Sequence, residues 1–329
     1  MSFQNLGKVE TADFYIDVAF RRGKQKADLI KQKLQKADRV KKTNKPRIQI
    51  FVSVERERFR AVNRTLTSNL SSILTSFPSI DALPRFYLEL VKCTIDYGQL
   101  KKSLGALDWA VKRLNSLLGV YNTKLKGIRQ FGTLKEIRRE FYGRASSVLK
   151  QINPNLAFLE ESRRIIRNFP SLRTEIPTVA IAGYPNVGKT TLLKALTKAQ
   201  PKIAPYPFTT QRLMLGYAVI GERKFQFIDT PGLLDRPFDK RNKIEIQAIL
   251  ALRHLANMIL FVVDASESCG YSVEDQLKLL KEIKSGFKIP LIVLSNKSDL
   301  AETEIENAIR ISAEKGEGID KVIETISTL

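Results

Sequence analysis

The chain has 329 residues, 43% of them hydrophobic and 27% charged, which is enough for about two domains with buried cores and too apolar for wholesale disorder. Its longest strongly apolar run, residues 258–265, falls far short of the ~18 residues of a membrane-spanning helix, and the first residues do not read as a signal peptide, so a cytoplasmic protein without a transmembrane segment is expected. The net charge of +21 is unevenly spread: residues 1–170 hold 34 Lys and Arg against 15 Asp and Glu, leaving 21 against 19 for residues 171–329. That split points to a basic half that meets a polyanion and a near-neutral half with another task.

In the first half, apolar residues recur at helical spacing through Ala27, Ile30, Leu34 and Ala37, then through Phe59, Val62, Leu66, Leu70 and Ile73, and again through Leu134, Ile137, Phe141, Ala145 and Val148. Residues 1–170 are therefore expected to form a nearly all-helical bundle. The stretch from Phe77-Pro78 to Pro84 breaks the pattern and is expected as a loop between two long helices. Beyond it, Leu104, Leu107, Val111, Leu114, Leu118, Tyr121 and Leu125 alternate steps of three and four, the seam of a helix packed along a partner. Cys93 and Cys269 are too few for a disulfide framework and are expected as small buried residues, while the single His254 is given no role.

Pro170 and Pro177 stand too close together for one helix or a central strand, which puts the domain border near Ser171. Downstream the pattern changes to short β-branched runs at residues 178–183, 225–229, 259–264 and 290–295, separated by helical stretches. Continuous apolar strands of this kind are buried on both faces of a parallel sheet, so residues 171–329 are expected as a doubly wound α/β domain. The fold class is thus an all-helical bundle followed by a phosphate-loop α/β domain.

Gly183-Tyr184-Pro185-Asn186-Val187-Gly188-Lys189-Thr190, followed by Thr191 and an apolar helix, fits the phosphate-loop pattern and follows a strand, as that pattern requires. Its glycines let backbone N–H groups close around a phosphate at a helix N-terminus. Lys189 is expected on the β- and γ-phosphates and the Thr190 hydroxyl on magnesium. Asp229-Thr230-Pro231-Gly232 ends the next apolar strand, with Asp229 expected at magnesium and the Gly232 amide at the γ-phosphate. Asn296-Lys297-Ser298-Asp299 ends another. A carboxylate there accepts both N1–H and N2–H of guanine, whereas adenine offers an acceptor and a bare carbon, so Asp299 is expected to select guanine. The backbone of Ser312 and Ala313, at the end of the following strand, is placed to cap the guanine carbonyl. Between these motifs lies a proline-rich loop ending in Thr209-Thr210. One of the two threonines is expected at magnesium and the γ-phosphate, Thr210 being favoured and Thr209 the alternative, with this loop and residues 230–243 ordering on GTP.

The phosphate loop, Tyr206-Pro207-Phe208-Thr209-Thr210 and Asp229-Thr230-Pro231-Gly232 resemble those of the Obg-related translation GTPases. Residues 77–87, 104–110 and 142–149 resemble the helical region of the Nog family of nucleolar GTP-binding proteins. The resemblance implies GTP and GDP as ligands, GTP hydrolysis, and action in large ribosomal subunit assembly. Ending at Leu329, the chain looks like a short archaeal-type member. Leu233 stands where Ras-like enzymes carry a water-orienting glutamine, so slow intrinsic hydrolysis is expected. Asn186 matches an asparagine that in related GTPases helps hold a potassium ion, and it equally suits a residue that only stabilises the turn. The catalytic set expected is therefore Lys189, Asn186 and Thr210, with a partner that stimulates hydrolysis.

The basic residues of the first half, from Arg21 and Arg22 through Lys31, Lys33, Lys36, Arg39, Lys41, Lys42 and Lys45, surround an apolar stripe and form an outward face. Folded RNA suits that face better than duplex DNA, since no groove-reading motif is present, and the resemblance points to ribosomal RNA within large-subunit particles. A switch whose basic helices bind an acidic protein or an anionic membrane surface is the alternative.

Overall fold

The computed structural model describes residues 3, 5–41, 47–206, 212–230, 234, 235, 237, 243–301 and 303–329, without the side chains of 37–41, 47, 243, 244 and 248. The elements run α1 (Ala12–Lys41), α2 (Arg47–Ser76), α3 (Arg85–Thr94), α4 (Tyr97–Lys124), α5 (Phe131–Gln151), α6 (Asn153–Arg167), β1 (Thr178–Ala182), α7 (Lys189–Thr197), β2 (Lys202–Ala204), β3 (Leu213–Ile220), β4 (Arg223–Asp229), α8 (Lys243–Ala251), β5 (Met258–Asp264), α9 (Val273–Phe287), β6 (Leu291–Asn296), β7 (Ala308–Arg310) and α10 (Ile319–Ser327). They form two compact units. Among the described residues no helix is long and apolar enough to cross a membrane.

The helical unit takes in Asn5–Pro78 and Asp96–Arg164. α1 packs on α2, α2 on α4, α4 on α5 and α5 back on α1, so four helices close around one core. Its centre is aromatic. The Phe59 and Phe141 rings stack with centroids 4.2 Å apart, and Tyr121 meets Phe141 edge-on at 5.3 Å, tying α2, α4 and α5 together through rings that are fully buried. Glu55 is also buried, and Arg138 of α5 holds it through contacts of 2.8 and 3.1 Å. Burial still raises the Glu55 pKa, and the two nearby arginines only offset it.

The seam of α4 differs from the expected one. Leu107, Leu114 and Tyr121 are buried, but Leu104, Val111 and Leu118 are only half-buried, and the stripe is completed by Leu100, Ser103, Ala110 and Leu117. The buried line still alternates three and four. Two of its positions hold small residues, so a search for bulky apolar side chains rotates the helix by one residue. Ser103 Oγ accepts from Asn155 Nδ2 at 3.3 Å, which satisfies the hydroxyl inside the interface.

The second unit combines Ile165–Leu329 with Ser79–Ile95, a segment that the sequence pattern assigns to the helical half, and with Phe3, whose ring packs edge-on to Tyr87 and Phe169. The helix after the Phe77–Pro84 stretch is short, ten residues rather than a long bundle helix. Ile95 is extended and Asp96 caps α4 by accepting from the Gln99 N–H at 2.9 Å, so the helix stops and restarts there. α3 buries Phe86, Tyr87, Leu90 and Val91 and packs on α8. The Tyr87 hydroxyl donates to Pro170 O at 2.8 Å and accepts from Leu172 N at 2.9 Å, which is why this segment belongs with the sheet.

Among the described residues the sheet has seven strands, in the order β2-β3-β4-β1-β5-β6-β7. β4, β1, β5, β6 and β7 run parallel, as the continuous apolar runs require, and β1 and β5 are buried along their whole length. β2 and β3 add an antiparallel edge, making the sheet mixed. The turn at Gly221, with φ of 60°, is too short for anything but a hairpin from β3 to β4.

Candidate nucleotide site

The parallel strands all deliver their carboxyl ends to one rim, where ligands of open α/β sheets bind. β1 ends at Ala182, and the chain turns through Gly183–Gly188 into α7. Gly183 has φ of 137°, and a Cβ there would strike the Val262 carbonyl of β5; Gly188 has φ of 98°, and a Cβ there would strike the Asn296 amide. Both positions therefore require glycine for backbone conformation and for space. Asn186 lies between them in the left-handed region, φ 63°, with an exposed side chain. Tyr184 and Val187 turn their side chains inward, the Tyr184 ring packing 4.3 Å from that of Tyr271, so these two residues offer the site their backbone.

Lys189 is only 7% exposed. Its Nζ donates to Gly183 O at 2.8 Å and to Tyr184 O at 2.6 Å, reaching back over the loop. Burial lowers its pKa, and the carboxylates of Asp229 and Asp235 act in the opposite sense. Thr190 Oγ1 donates to Asp229 Oδ2 at 2.6 Å. Asp229 is wholly buried, which raises its pKa against the bond from Thr190 and the charge of Lys189, and its Oδ1 has no hydrogen-bond partner among the described residues. A hydroxyl beside a carboxylate with one uncommitted oxygen is a donor set that fits a hard divalent cation. A cavity of about 460 Å³ lies over this corner, lined by Pro185, Asn186, Gly188 and the first turn of α7, which includes Thr191, together with Asp229 and Asp235.

The next strand ends build the other side. Asn296 closes β6, and its side chain is committed to the protein: Nδ2 donates to Val187 O at 2.8 Å, and Oδ1 accepts from Ala313 N at 2.9 Å. One amide thus braces the phosphate loop against the Ser312–Ala313 turn. Lys297, at φ of 62°, donates from Nζ to Asp264 Oδ2 at 2.7 Å and to Ser268 Oγ at 2.8 Å. Asp299 is held as a carboxylate: a hydrogen bond from Ser312 lowers its pKa, assisted by Lys315, whose Nζ stands 3.5 Å away. Ser312 N donates to Glu317 O, and Ala313 N is spent on Asn296.

Pro185, Asn186, Gly188 to Thr191 and Asp229 therefore meet at one cavity, with Gly183, Tyr184 and Val187 in the loop behind it, and Asn296, Lys297, Asp299, Ser312 and Ala313 gather at the adjoining strand ends. Thr209, Thr210, Gly232 and Leu233 lie outside the described residues. Two acidic residues escaped the sequence pattern. Asp235, 8% exposed, faces the cavity beside Lys189 and Asp229. Asp264, fully buried at the end of β5, accepts from Ser266, Ser268, the Cys269 N–H and Lys297 and so fixes the Lys297 side chain. Its signal was present, since an apolar strand ending in Asp is the pattern that singled out Asp229.

A glycine-bounded phosphate loop and a buried strand-end carboxylate at the carboxyl rim of the parallel strands define a phosphate-loop nucleotide-binding domain. Residues 178–297 match the family described as 50S ribosome-binding GTPase, and residues 3–172 match the NOG1 N-terminal helical domain. An uncharacterized protein of Methanocaldococcus jannaschii is 42% identical over 302 residues, covering 92% of this chain and 82% of its own. Nucleolar GTP-binding protein 1 of Drosophila melanogaster is 31% identical over 304 residues, 92% of this chain and 45% of its own. A crystal structure of a candidate nucleolar GTP-binding protein 1 from Plasmodium falciparum is 31% identical over 49% of this chain and 89% of its own, with a TM-score of 0.44. The chain belongs to the Nog family of nucleolar GTP-binding proteins, with the family's helical domain followed by its GTPase domain. It spans less than half the length of the Drosophila relative.

Proposed function

We propose that this chain is a slow GTPase acting in assembly of the large ribosomal subunit, with residues 171–329 as the GTP-binding domain and residues 1–170 as a basic helical domain that docks on ribosomal RNA or on large-subunit precursors. The observation that carries it is the joining in one chain of the phosphate-loop cavity with a half that holds 34 basic residues against 15 acidic ones. The nucleolar relatives and the description of the matched GTPase family support the same reading.

In this reading the backbone of Gly183 to Gly188 and the N-terminus of α7 receive the phosphates, Lys189 turns its ammonium to the β- and γ-oxygens, and Asp299 selects guanine. Thr190 and Asp229 would hold magnesium, with Thr210 expected to join them when GTP is bound. Magnesium would supply charge neutralisation between the β- and γ-phosphates. Residues 230–243 and the loop carrying Thr210 respond to hydrolysis. Asn186 lines the cavity with an exposed side chain, and in the reading where it helps hold potassium, GTP turnover should be faster in potassium than in sodium and Asn186→Ala should abolish the difference. Equal rates in both salts would assign the missing stimulus to a partner.

A cytoplasmic location belongs to the same proposal. The test of the docking claim is the salt dependence of binding to a structured ribosomal RNA fragment. Release of condensed counterions should make log affinity fall linearly and steeply with log salt, and binding should survive competition by transfer RNA. Equal binding to anionic vesicles or to an acidic protein would move the alternative forward.

A further inference from the structure

The helical unit holds a larger cavity than the nucleotide site, an open groove of about 850 Å³ formed by α1 and α2, with Asn115 and Leu118 of α4 at its floor. Its rims are cationic. Arg22 and Lys26 stand one turn apart on α1, and Arg60 and Arg64 one turn apart on α2, all four exposed. One acid, Glu57, lines the groove, and Arg60 holds it at 2.6 Å. Arg22, Lys26 and Arg64 enter no ion pair among the described residues. Four like charges facing one concavity repel one another, and an anion seated between them removes that penalty.

The floor is polar and carries acceptors. Asn63 is buried and donates from Nδ2 to Asn115 Oδ1 at 2.7 Å, while its Oδ1 has no partner among the described residues. Thr65 and Thr67 also line the groove, and because their hydroxyls donate to Ala61 O and Asn63 O, each at 2.9 Å, the hydroxyl oxygens keep acceptor capacity. The groove is fixed in shape, since Gly23 lets α1 approach α2 so closely that a Cβ there would meet the Val62 side chain at 2.5 Å.

We propose that this groove seats the sugar–phosphate backbone of an RNA strand, phosphates between the two cationic rims and 2′-hydroxyls toward the acceptors of the floor. Each nucleotide of RNA brings an anion and, beside it, a hydroxyl donor; DNA lacks the donor. An acidic peptide carries its anions on flexible side chains and its donors on the backbone, with no fixed pairing of the two. The rise of one helical turn, about 6 Å between residues four apart, also sets the paired cations at a separation comparable to that of successive phosphates. The proposal rests on the ribosomal-RNA reading above and narrows it from a basic half to one groove.

The experiment uses the full chain and a fluorescent single-stranded ribosomal RNA fragment, followed by anisotropy across a salt series. Replacing Arg22, Lys26, Arg60 and Arg64 together by glutamine should reduce the slope of log affinity against log salt by about 3, as expected for four lost contacts to a single strand. A control variant with Lys102, Arg113, Lys135 and Arg139 replaced by glutamine removes the same charge from exposed sites on α4 and α5 and should reduce the slope by less than about 1. Asn115→Asp keeps the acceptor for Asn63 and sets a negative charge on the floor, so it should weaken RNA binding at an unchanged melting temperature. DNA of the same sequence should bind the wild-type chain more weakly. Equal losses in the two charge variants, or polyglutamate competing as well as RNA, would overturn the groove while leaving the wider docking claim in place. Absence of binding to the single strand by a wild-type chain that binds structured ribosomal RNA would overturn the groove alone, and absence of binding to either RNA would overturn both.

Discussion

Asp299→Asn should convert a guanine-preferring site into a xanthine-preferring one. The carboxylate is kept ionised by its hydrogen bond from Ser312 and by Lys315, so it only accepts, and guanine offers it two donors. Xanthine carries a carbonyl in place of the exocyclic amine, and an asparagine amide can donate to that carbonyl while still accepting from N1–H. Because a site built around a polar group leaves it unpaired when the matching ligand group is absent, the ratio of GTP to XTP affinity should change on the order of 10²-fold or more. Competition between the two nucleotides reads this directly. A variant that keeps its preference for GTP would remove Asp299 from the base site.

The second large effect is expected at Lys189. Its ammonium is buried and already drawn to the carbonyls of Gly183 and Tyr184, so it is positioned at the mouth of the loop before any phosphate contact is made. Lys189→Ala removes a charge-assisted contact worth roughly 1.5–3 kcal/mol, which corresponds to a loss of roughly 10- to 150-fold in GTP affinity. The loss should be larger for GTP than for GDP, because the lysine is assigned to both the β- and the γ-phosphate. Thermal unfolding of the same variant separates this from damage to the loop, since the two carbonyls also lose their donor. Unchanged GTP affinity in a folded variant would dissociate Lys189 from the phosphates.

The two halves of the chain were legible to different depths, for physical reasons. A phosphate loop is a local demand: Gly183 and Gly188 each need a left-handed backbone and room against a neighbouring strand, and that requirement is written in consecutive residues. The parallel strands were equally plain, because a strand covered on both faces must be apolar without interruption. The antiparallel edge was less so, since β3 is buried only within its first four residues and half-buried or exposed beyond Gly216, and its pairing depends on a turn. In the helical half, the α4 seam passes through Ser103 and Ala110, where close packing selects small side chains that a hydrophobicity pattern overlooks. The place of α3 depends on the Tyr87 hydroxyl reaching the backbone at Pro170 and Leu172, a tertiary contact with no local signature. Asp235 was missed for the same reason, as it is defined by the lysine and the cavity it faces, whereas Asp264 carried a readable signal, an apolar strand ending in Asp.

The central proposal is that the chain is a GTPase whose basic helical domain docks on large-subunit particles, and a switch of that kind should attach according to its nucleotide. Co-sedimentation of the full chain with separated large and small ribosomal subunits, in GDP and in a non-hydrolysable GTP analogue, tests it most directly. The chain should pellet with large subunits in the analogue, less in GDP, and not with small subunits, and Lys189→Ala should erase the difference between nucleotides. Sedimentation that ignores both the subunit and the nucleotide would contradict the account, because charge alone would then explain the attachment.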